Sequence, residues 1–386
     1  MGRKFYPLLR LILYFSPRPK SDPAKRNFSR ILAISTTAVG DTLLSTPGFT
    51  ALRRLNPHAR ILALIRDRYA SMFLNNPDLD GIIPLKRGWA GFIENLKAIK
   101  SENFDAAFVF HTSDPTPLGL AVLAGIPFIA GKSLHPSFDA FFTLRTYPDY
   151  NRHTIERRLA IFKLMYPGFT DLPGRLVLPQ KKEATDRIWE KLRPTVGSAL
   201  DQGPLVGLQP GASRIYKMWP KERFVELGLR LLAAAPQLSL LILGNSTEAA
   251  LGQDLLDGIG APGRVFSLCG KTRIEELPAI ISRLHFLITN DTGSLHVAIA
   301  VGTPTISLFA ATDPHSSGPY QDHERHIVIS KPKPCGTNCV HKKCPHKPSC
   351  MTQISVDEVY RRAFEMLLIH TCRLDLQTQK RISSNQ

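Results

Sequence analysis

Twice along this chain, short apolar runs rich in β-branched residues alternate with helical stretches, and that alternation is the feature that most restricts its fold. In the first half "RILAIST" (30–36), "RILALIR" (60–66), "GIIPL" (81–85) and "AAFVFH" (106–111) read as strands. Helices are expected at "DTLLSTPGFTALRRL" (41–55), which carries a proline, and at "GFIENLKAIKSE" (91–102). Runs apolar on both faces, spaced by helices, demand parallel pairing with right-handed crossovers. The second half repeats the scheme. Strands are expected at 205–211, 238–244, 265–270, 286–291 and 304–309, with helices at 220–235, 248–259, 274–284 and 295–302.

Between the halves, "YPGFTDLPGRLVLPQKK" and "RPTVGSALDQGPL" are rich in Pro and Gly and place a boundary near residue 175. The fold class is therefore α/β, with two Rossmann-like domains whose parallel sheets face a central cleft. The expected organisation is an N-terminal extension (1–29), a first domain (30–175), a second domain (176–354), a helix packing back through its Val356, Val359, Tyr360, Ala363 and Leu367 face (355–372), and a loose tail (373–386). Neither half holds G-x-G-x-x-G or a Walker A sequence, which argues against a dinucleotide-linked dehydrogenase and a P-loop NTPase.

Charge narrows the partners. Lys and Arg number 49 against 32 Asp and Glu, a net +17 over 386 residues, so an acidic partner is implied. The first thirty residues hold eight basic residues and one acid around "FYPLLRLILYF", an apolar run too short to span a bilayer. An interfacial anchor on an anionic leaflet fits this composition, and a basic tail without that role is the alternative. The rest of the charge is scattered, without an aromatic-basic module, so nucleic acid is not expected as a partner.

Candidate chemistry sits where strands end, because open α/β sheets bind ligands there. After the first strand, "STTAVGDTLLSTP" (35–47) offers Thr37, Gly40, expected to make a tight turn, and Asp41, read as either a helix N-cap or a general base. In "LQPGASRIYKMWPKERF" (208–224), Pro220 opens a helix, so Ser213 to Lys217 form the loop before it; Lys217 is either a solvated lysine or a point charge for phosphate. In "LITNDTGSLHVAIAVGTPTISLFAATDP" (287–314), the amides after Asp291, at Thr292 and Gly293, can wrap a diphosphate at a helix N-terminus, with His296 one turn further in. Asp291 itself would repel a phosphate unless it caps the helix or accepts from a sugar hydroxyl.

Two further groups carry residue types that can hold a metal. "DLD" (78–80) has the look of a metal-binding Asp-x-Asp, but it precedes a strand and reads as a turn. Cys335, Cys339, Cys344 and Cys350, with His341 and His346 between them, are spaced more loosely than a paired C-x-x-C site. They are read as a structural cluster, with a structural metal as the alternative and no part in catalysis.

"VGDTLLSTPGFTALRRLNP", "PGASRIYKMWPKERFVEL" and "TNDTGSLHVAIAVGTPTISLFAATDP", in that order and spacing, closely resemble glycosyltransferase family 9, the lipopolysaccharide heptosyltransferases. The resemblance covers about residues 30–368 and includes the late cysteine cluster ending in "CMTQIS". It implies a GT-B fold, a nucleotide-sugar donor, typically ADP-heptose, on the C-terminal domain, and a lipid-linked, anionic acceptor on the N-terminal domain. By position, Asp41 resembles the family's catalytic base and Lys217 its phosphate-contacting lysine. Glu248 resembles an acid that meets the donor ribose, and Asp291, Thr292, Gly293 and His296 resemble the donor-binding loop, with Ser213 beside it. Ala310 stands where members commonly have glycine.

The expected reaction is inverting transfer of a heptose or related sugar to a lipopolysaccharide core at the cytoplasmic face of the inner membrane, with no cofactor. A nucleotide-sugar epimerase-like enzyme, another glycolipid glycosyltransferase and a non-enzymatic basic protein are the alternatives.

Overall fold

The computed structural model describes residues 21–22, 24, 26–133, 135–197, 203–333 and 350–368. The chain divides into two compact units, Met1–Pro179 and Gln180–Gln386. The reading of the first twenty residues, of Cys335, Cys339 and Cys344 with their two histidines, and of the tail from 373 lies outside the described residues.

Unit 1 holds β1 (Arg30–Ser35), β2 (Arg60–Arg66), β3 (Gly81–Leu85), β4 (Ala106–His111), β5 (Phe128–Lys132) and β6 (Leu144–Thr146). They form one parallel sheet in the order β3-β2-β1-β4-β5-β6. Ile31, Leu32, Ala33 and Ile34 of the central strand are fully buried, as a strand covered by helices on both faces requires. Phe28, within the expected extension, belongs to this core: its ring centroid lies 4.7 Å from Phe128 and 5.8 Å from Phe108.

The helix expected at 41–55 is two helices, α1 (Val39–Leu43) and α2 (Thr46–Leu55). Pro47 has no N–H to give the carbonyl of Leu43, and the Thr46 hydroxyl fills that place at 2.7 Å. Gly40 lies inside α1 rather than in a tight turn, and its φ is not positive. The remaining helices of this unit used below are α3 (Gly88–Ser101), α4 (Thr116–Leu123) and α5 (Thr154–Met165).

Unit 2 holds α6 (Lys182–Val196), β7 (Leu205–Gln209), α7 (Lys221–Ala234), β8 (Ser239–Ile242), α8 (Ala249–Ile259), β9 (Val265–Ser267), α9 (Leu277–Ile281), β10 (Phe286–Asn290), α10 (Gly293–Val301), β11 (Thr305–Phe309) and β12 (His326–Ser330). Its sheet is again six-stranded and parallel, ordered β12-β11-β10-β7-β8-β9. Read from β9, both units follow the doubly wound order 3-2-1-4-5-6, in which the chain reverses direction between the first and fourth strands. Residues 356–368 are helical, and Val356, Val359, Ala363 and Leu367 enter the core of unit 2. Two α/β units with this topology are the architecture the alternation demanded.

Candidate functional site

In unit 1 the loop from β1 into α1 is clamped from below. Arg66, at the end of β2, donates from Nη2 to the carbonyl of Thr36 at 2.8 Å and from Nε to that of Thr37 at 3.3 Å. The Tyr69 hydroxyl donates to the Thr37 carbonyl at 3.1 Å. Held in this way, the Thr37 hydroxyl donates to Asp41 Oδ2 at 2.8 Å. Asp41 lies in the first turn of α1, but the N-cap is Ala38 and no side chain caps the helix, so the capping alternative for Asp41 is set aside.

Asp41 Oδ1 meets two partners that sequence reasoning missed. Arg158 of α5 donates to it from Nη2 at 3.1 Å, and His111 Nε2, at the end of β4, lies 3.4 Å away. Burial by itself would raise the carboxyl's pKa, but the His111 contact, the Arg158 charge and the Thr37 hydroxyl outweigh it and hold Asp41 well below the usual carboxylate range. Burial, with the Arg158 charge behind it, lowers the His111 imidazole, although Asp41 pulls the other way. Burial also brings Arg158 down to about 10. The Asp41 side chain remains 32% exposed, so a fixed, ionised carboxylate keeps access to solvent.

Lys132 closes the row. It ends β5 beside β4, and Gly131 before it has φ +138 with a Cβ position only 2.2 Å from the Val109 carbonyl oxygen, so only glycine lets β5 approach β4 this closely. Burial and then the charges of Arg157 and Arg158 lower its ammonium pKa, and Asp41 opposes them. Ordinary patterning hid both contributors: β5 opens directly after "GIP" and ends in its own Gly131 and Lys132, and α5 is not among the helices read from sequence.

In unit 2, Lys217 ends a single turn (Ile215–Lys217) after β7, and its Nζ donates to Asp291 Oδ2 at 2.6 Å. The Thr312 hydroxyl donates to the same oxygen at 2.8 Å. Asp291 therefore does not cap α10, whose N-cap is Thr292; instead Lys217 neutralises it, which removes the repulsion expected between an acid and a phosphate. Thr292 and Gly293 open α10, and His296 is buried on it. Ser213 is exposed in the Lys217 loop.

Asn290, also missed from sequence, ties the two loops together. Its Oδ1 accepts from the Trp219 amide at 3.0 Å and its Nδ2 donates to the Pro210 carbonyl at 2.8 Å. Trp219 in turn is fully buried and donates from Nε1 to the Ile354 carbonyl at 2.9 Å. Glu248 accepts from the Asn245 amide at 2.8 Å in a capping box, and a Cβ on Gly211 would fall 1.9 Å from Glu248 Oε1. Pro220 is the N-cap of α7, which leaves Ser213 to Lys217 in the loop. Lys217, Glu248, Asp291 and the first turn of α10 thus share the carboxyl edge of one sheet, near strands β7, β8 and β10.

The two aspartates of "DLD" act within unit 1: Asp78 accepts from the Thr50 hydroxyl at 2.5 Å, and Asp80 from the Ile61 amide and from Arg53, both at 2.7 Å. Cys350 is buried and opens the turn Cys350–Gln353. Among the described residues no helix is long and apolar enough to cross a membrane.

Known proteins resemble the chain along most of its length. Lipopolysaccharide heptosyltransferase 3 of Escherichia coli K12 is 26% identical over 286 residues, covering 71% of this chain and 80% of that protein. Lipopolysaccharide heptosyltransferase 2 of Salmonella typhimurium is 24% identical over 311 residues, covering 78% and 88%. A family 9 glycosyltransferase from Veillonella parvula superposes with a TM-score of 0.76 at 24% identity, over 90% of this chain and 99% of that one. The E. coli ADP-heptose lipopolysaccharide heptosyltransferase II superposes with 0.72 at 20% identity, over 89% and 99%. The heptosyltransferase II structure has the GT-B architecture, and the α/β fold class expected from sequence, with a parallel sheet in each of two units, stands. Residues 94–349 match glycosyltransferase family 9 (heptosyltransferase), so the chain belongs to that family and is a glycosyltransferase.

Proposed function

We propose that this enzyme transfers a heptose from ADP-heptose to a lipopolysaccharide core acceptor, with inversion at the anomeric carbon. The observation that carries the reading is a division of chemistry: unit 1 presents a fixed, ionised carboxylate, and unit 2 presents a lysine beside the first turn of a helix. The relatives named as lipopolysaccharide heptosyltransferases, and the solved neighbour named for ADP-heptose, support the choice of donor and acceptor.

In this mechanism the acceptor hydroxyl attacks the anomeric carbon opposite the diphosphate. The new C–O bond forms as the bond to the diphosphate oxygen breaks, through an oxocarbenium-like state. The hydroxyl becomes acidic as it bonds to carbon, and its proton passes to Asp41; a strongly acidic carboxylate suffices because that transfer is late. The charge that builds on departing ADP meets Lys217 and the α10 amides at Thr292 and Gly293. Glu248 takes the ribose hydroxyls, Ser213 and His296 line the donor loop, and Thr37 and Gly40 shape the acceptor side. These groups supply the charge stabilisation, so the reaction as proposed uses no cofactor and no metal.

The basic, apolar first twenty residues are proposed to rest on the anionic cytoplasmic leaflet of the inner membrane, where the acceptor lies. The test is direct. Purified enzyme with ADP-heptose and a deep-rough lipid acceptor, with and without EDTA, yields a lipid heavier by one heptose and of inverted anomeric configuration by NMR. Retained configuration, EDTA sensitivity or a free epimerised sugar from donor alone would each refute part of the scheme.

A further inference from the structure

Arg158 is one of the most buried charges of unit 1, its side chain 4% exposed, and it lies 117 residues from the group it serves. Its guanidinium makes contacts of different kinds with one short segment. Nη1 donates to the backbone carbonyl of Asp41 and to Ser45 Oγ at 2.9 Å, while Nη2 donates to Asp41 Oδ1 at 3.1 Å. Ser45 Oγ donates back to the same carbonyl at 3.1 Å and lies 3.0 Å from Ser35 Oγ on β1. One planar fork therefore fixes the backbone, the carboxylate and the following turn together, a task that a flexible ammonium performs less well. With Oδ1 occupied by Arg158 and His111, and Oδ2 bonded among the described residues to Thr37 alone, Oδ2 is the oxygen with a lone pair to spare.

We infer that Arg158 is a positioning residue: it sets the Asp41 carboxylate so that Oδ2 receives the acceptor's proton, and it never touches substrate itself. The inference rests on the reading of Asp41 as the base. A surface ion pair would contribute little to this geometry, but removing one partner of a buried pair leaves the other uncompensated. The groups facing Asp41 are Thr37 on its own loop, His111 on β4, Lys132 on β5 and Arg158 on α5. Without Arg158, burial pushes the carboxyl upward with less opposition.

The test compares Arg158→Met and Arg158→Lys with Asp41→Asn in the full-length enzyme, reading kcat, the donor KM and the rate from pH 4 to 8, with ADP binding as a check on unit 2. Misplacement of a reacting group by about 1 Å costs on the order of 100-fold, so kcat in Arg158→Met should fall about 100-fold, with the donor KM within about two-fold. Arg158→Lys, which keeps the charge and serves if the Met variant does not fold, should lose about 10-fold. The parent should keep its plateau rate near pH 4, whereas Arg158→Met, which removes one of the charges holding the carboxyl down, should begin to lose rate at a higher pH than the parent, and Arg158→Lys, which keeps the charge, should stay nearer the parent's profile.

Either variant at the parental kcat, or Arg158→Met with a reduced kcat and the parent's flat acid profile, would overturn the inference. An active Asp41→Asn enzyme would instead remove the base reading on which it rests, and the two failures are thus distinguishable.

Discussion

The two units share a strand order and invert a charge. In unit 1 the first turn of α1, just after the first strand, carries the acid, Asp41, and a distant helix supplies the cation. In unit 2 the loop after the first strand carries the cation, Lys217, and the loop after the fourth strand supplies the acid, Asp291. Each ion pair stands at the carboxyl end of a doubly wound sheet, where the chain reverses direction and a crevice opens. One topology therefore provides a place for chemistry, and the side chains at that place decide its sign. The pairs also differ in access. Asp41 is 32% exposed against 4% for its arginine, whereas Lys217 is 21% exposed against 8% for its aspartate, so each unit presents the opposite charge to a ligand.

That contrast can be broken residue by residue. The largest effect is expected from Asp41→Asn, which keeps shape and removes the acceptor of the proton: kcat should fall about 100- to 10,000-fold with ADP affinity unchanged by calorimetry. Equal loss of both would make Asp41 structural, and the two units would no longer be divided between chemistry and donor.

Lys217→Ala comes next. It removes a charged hydrogen-bond donor worth about 1.5–3 kcal/mol, so kcat/KM for donor should fall about 10- to 100-fold and ADP affinity with it, while acceptor KM holds. Unchanged kinetics would take Lys217 out of the donor site.

A smaller effect should follow Gly211→Ala. The added methyl would fall 1.9 Å from Glu248 Oε1, and that carboxylate is already bonded to the Asn245 amide, so it must leave its place. ADP binding should weaken by about the worth of one hydrogen bond to a charged group, roughly 10-fold, with little change in Tm. Full affinity would show that Glu248 does not meet the nucleotide.

The smallest change in turnover is expected on deleting residues 1–20, which spares Phe28 and the unit 1 core. Sedimentation with anionic vesicles should be lost, while transfer to a detergent-dispersed acceptor stays within about two-fold of the parent. Persistent sedimentation would move membrane contact to another surface.

Most of the strands were readable one by one. β1, β2, β3, β4, β7, β8, β9, β10 and β11 stand where apolar, β-branched runs predict them, because a strand buried on both faces leaves a continuous apolar signature. β5 and β6 were not seen: the first is short, follows Pro127 and contains Gly131, and the second exposes part of each residue. β12 begins "HIVIS" directly after "DHER", and its burial pattern is broken. The break between α1 and α2 was not read, although Pro47 carried its signal, and its repair by the Thr46 hydroxyl had no signal in the sequence.

For the site, the motifs named Asp41 but not its partner Arg158, and named both Lys217 and Asp291 without pairing them. Asp41 and Lys217 sit in recognisable loops, as does Asp291. Arg158 sits in a segment with no motif, His111 looks like an ordinary strand end, and Asn290 and Thr312 lie inside the third motif without a residue type that marks them as site members.

Local sequence determined what depends on neighbours along the chain: which runs are strands, where helices start, and which loops carry an acid, a lysine or a glycine. Tertiary structure decided what depends on groups far apart in sequence. It paired Asp41 with Arg158, so that a candidate cap became an ionised carboxylate, and it paired Lys217 with Asp291, so that an acid at a helix start ceased to repel a phosphate. The reason is electrostatic. A carboxylate's protonation and direction are set by the few charges and donors within about 4–6 Å, and folding chooses those from anywhere in the chain.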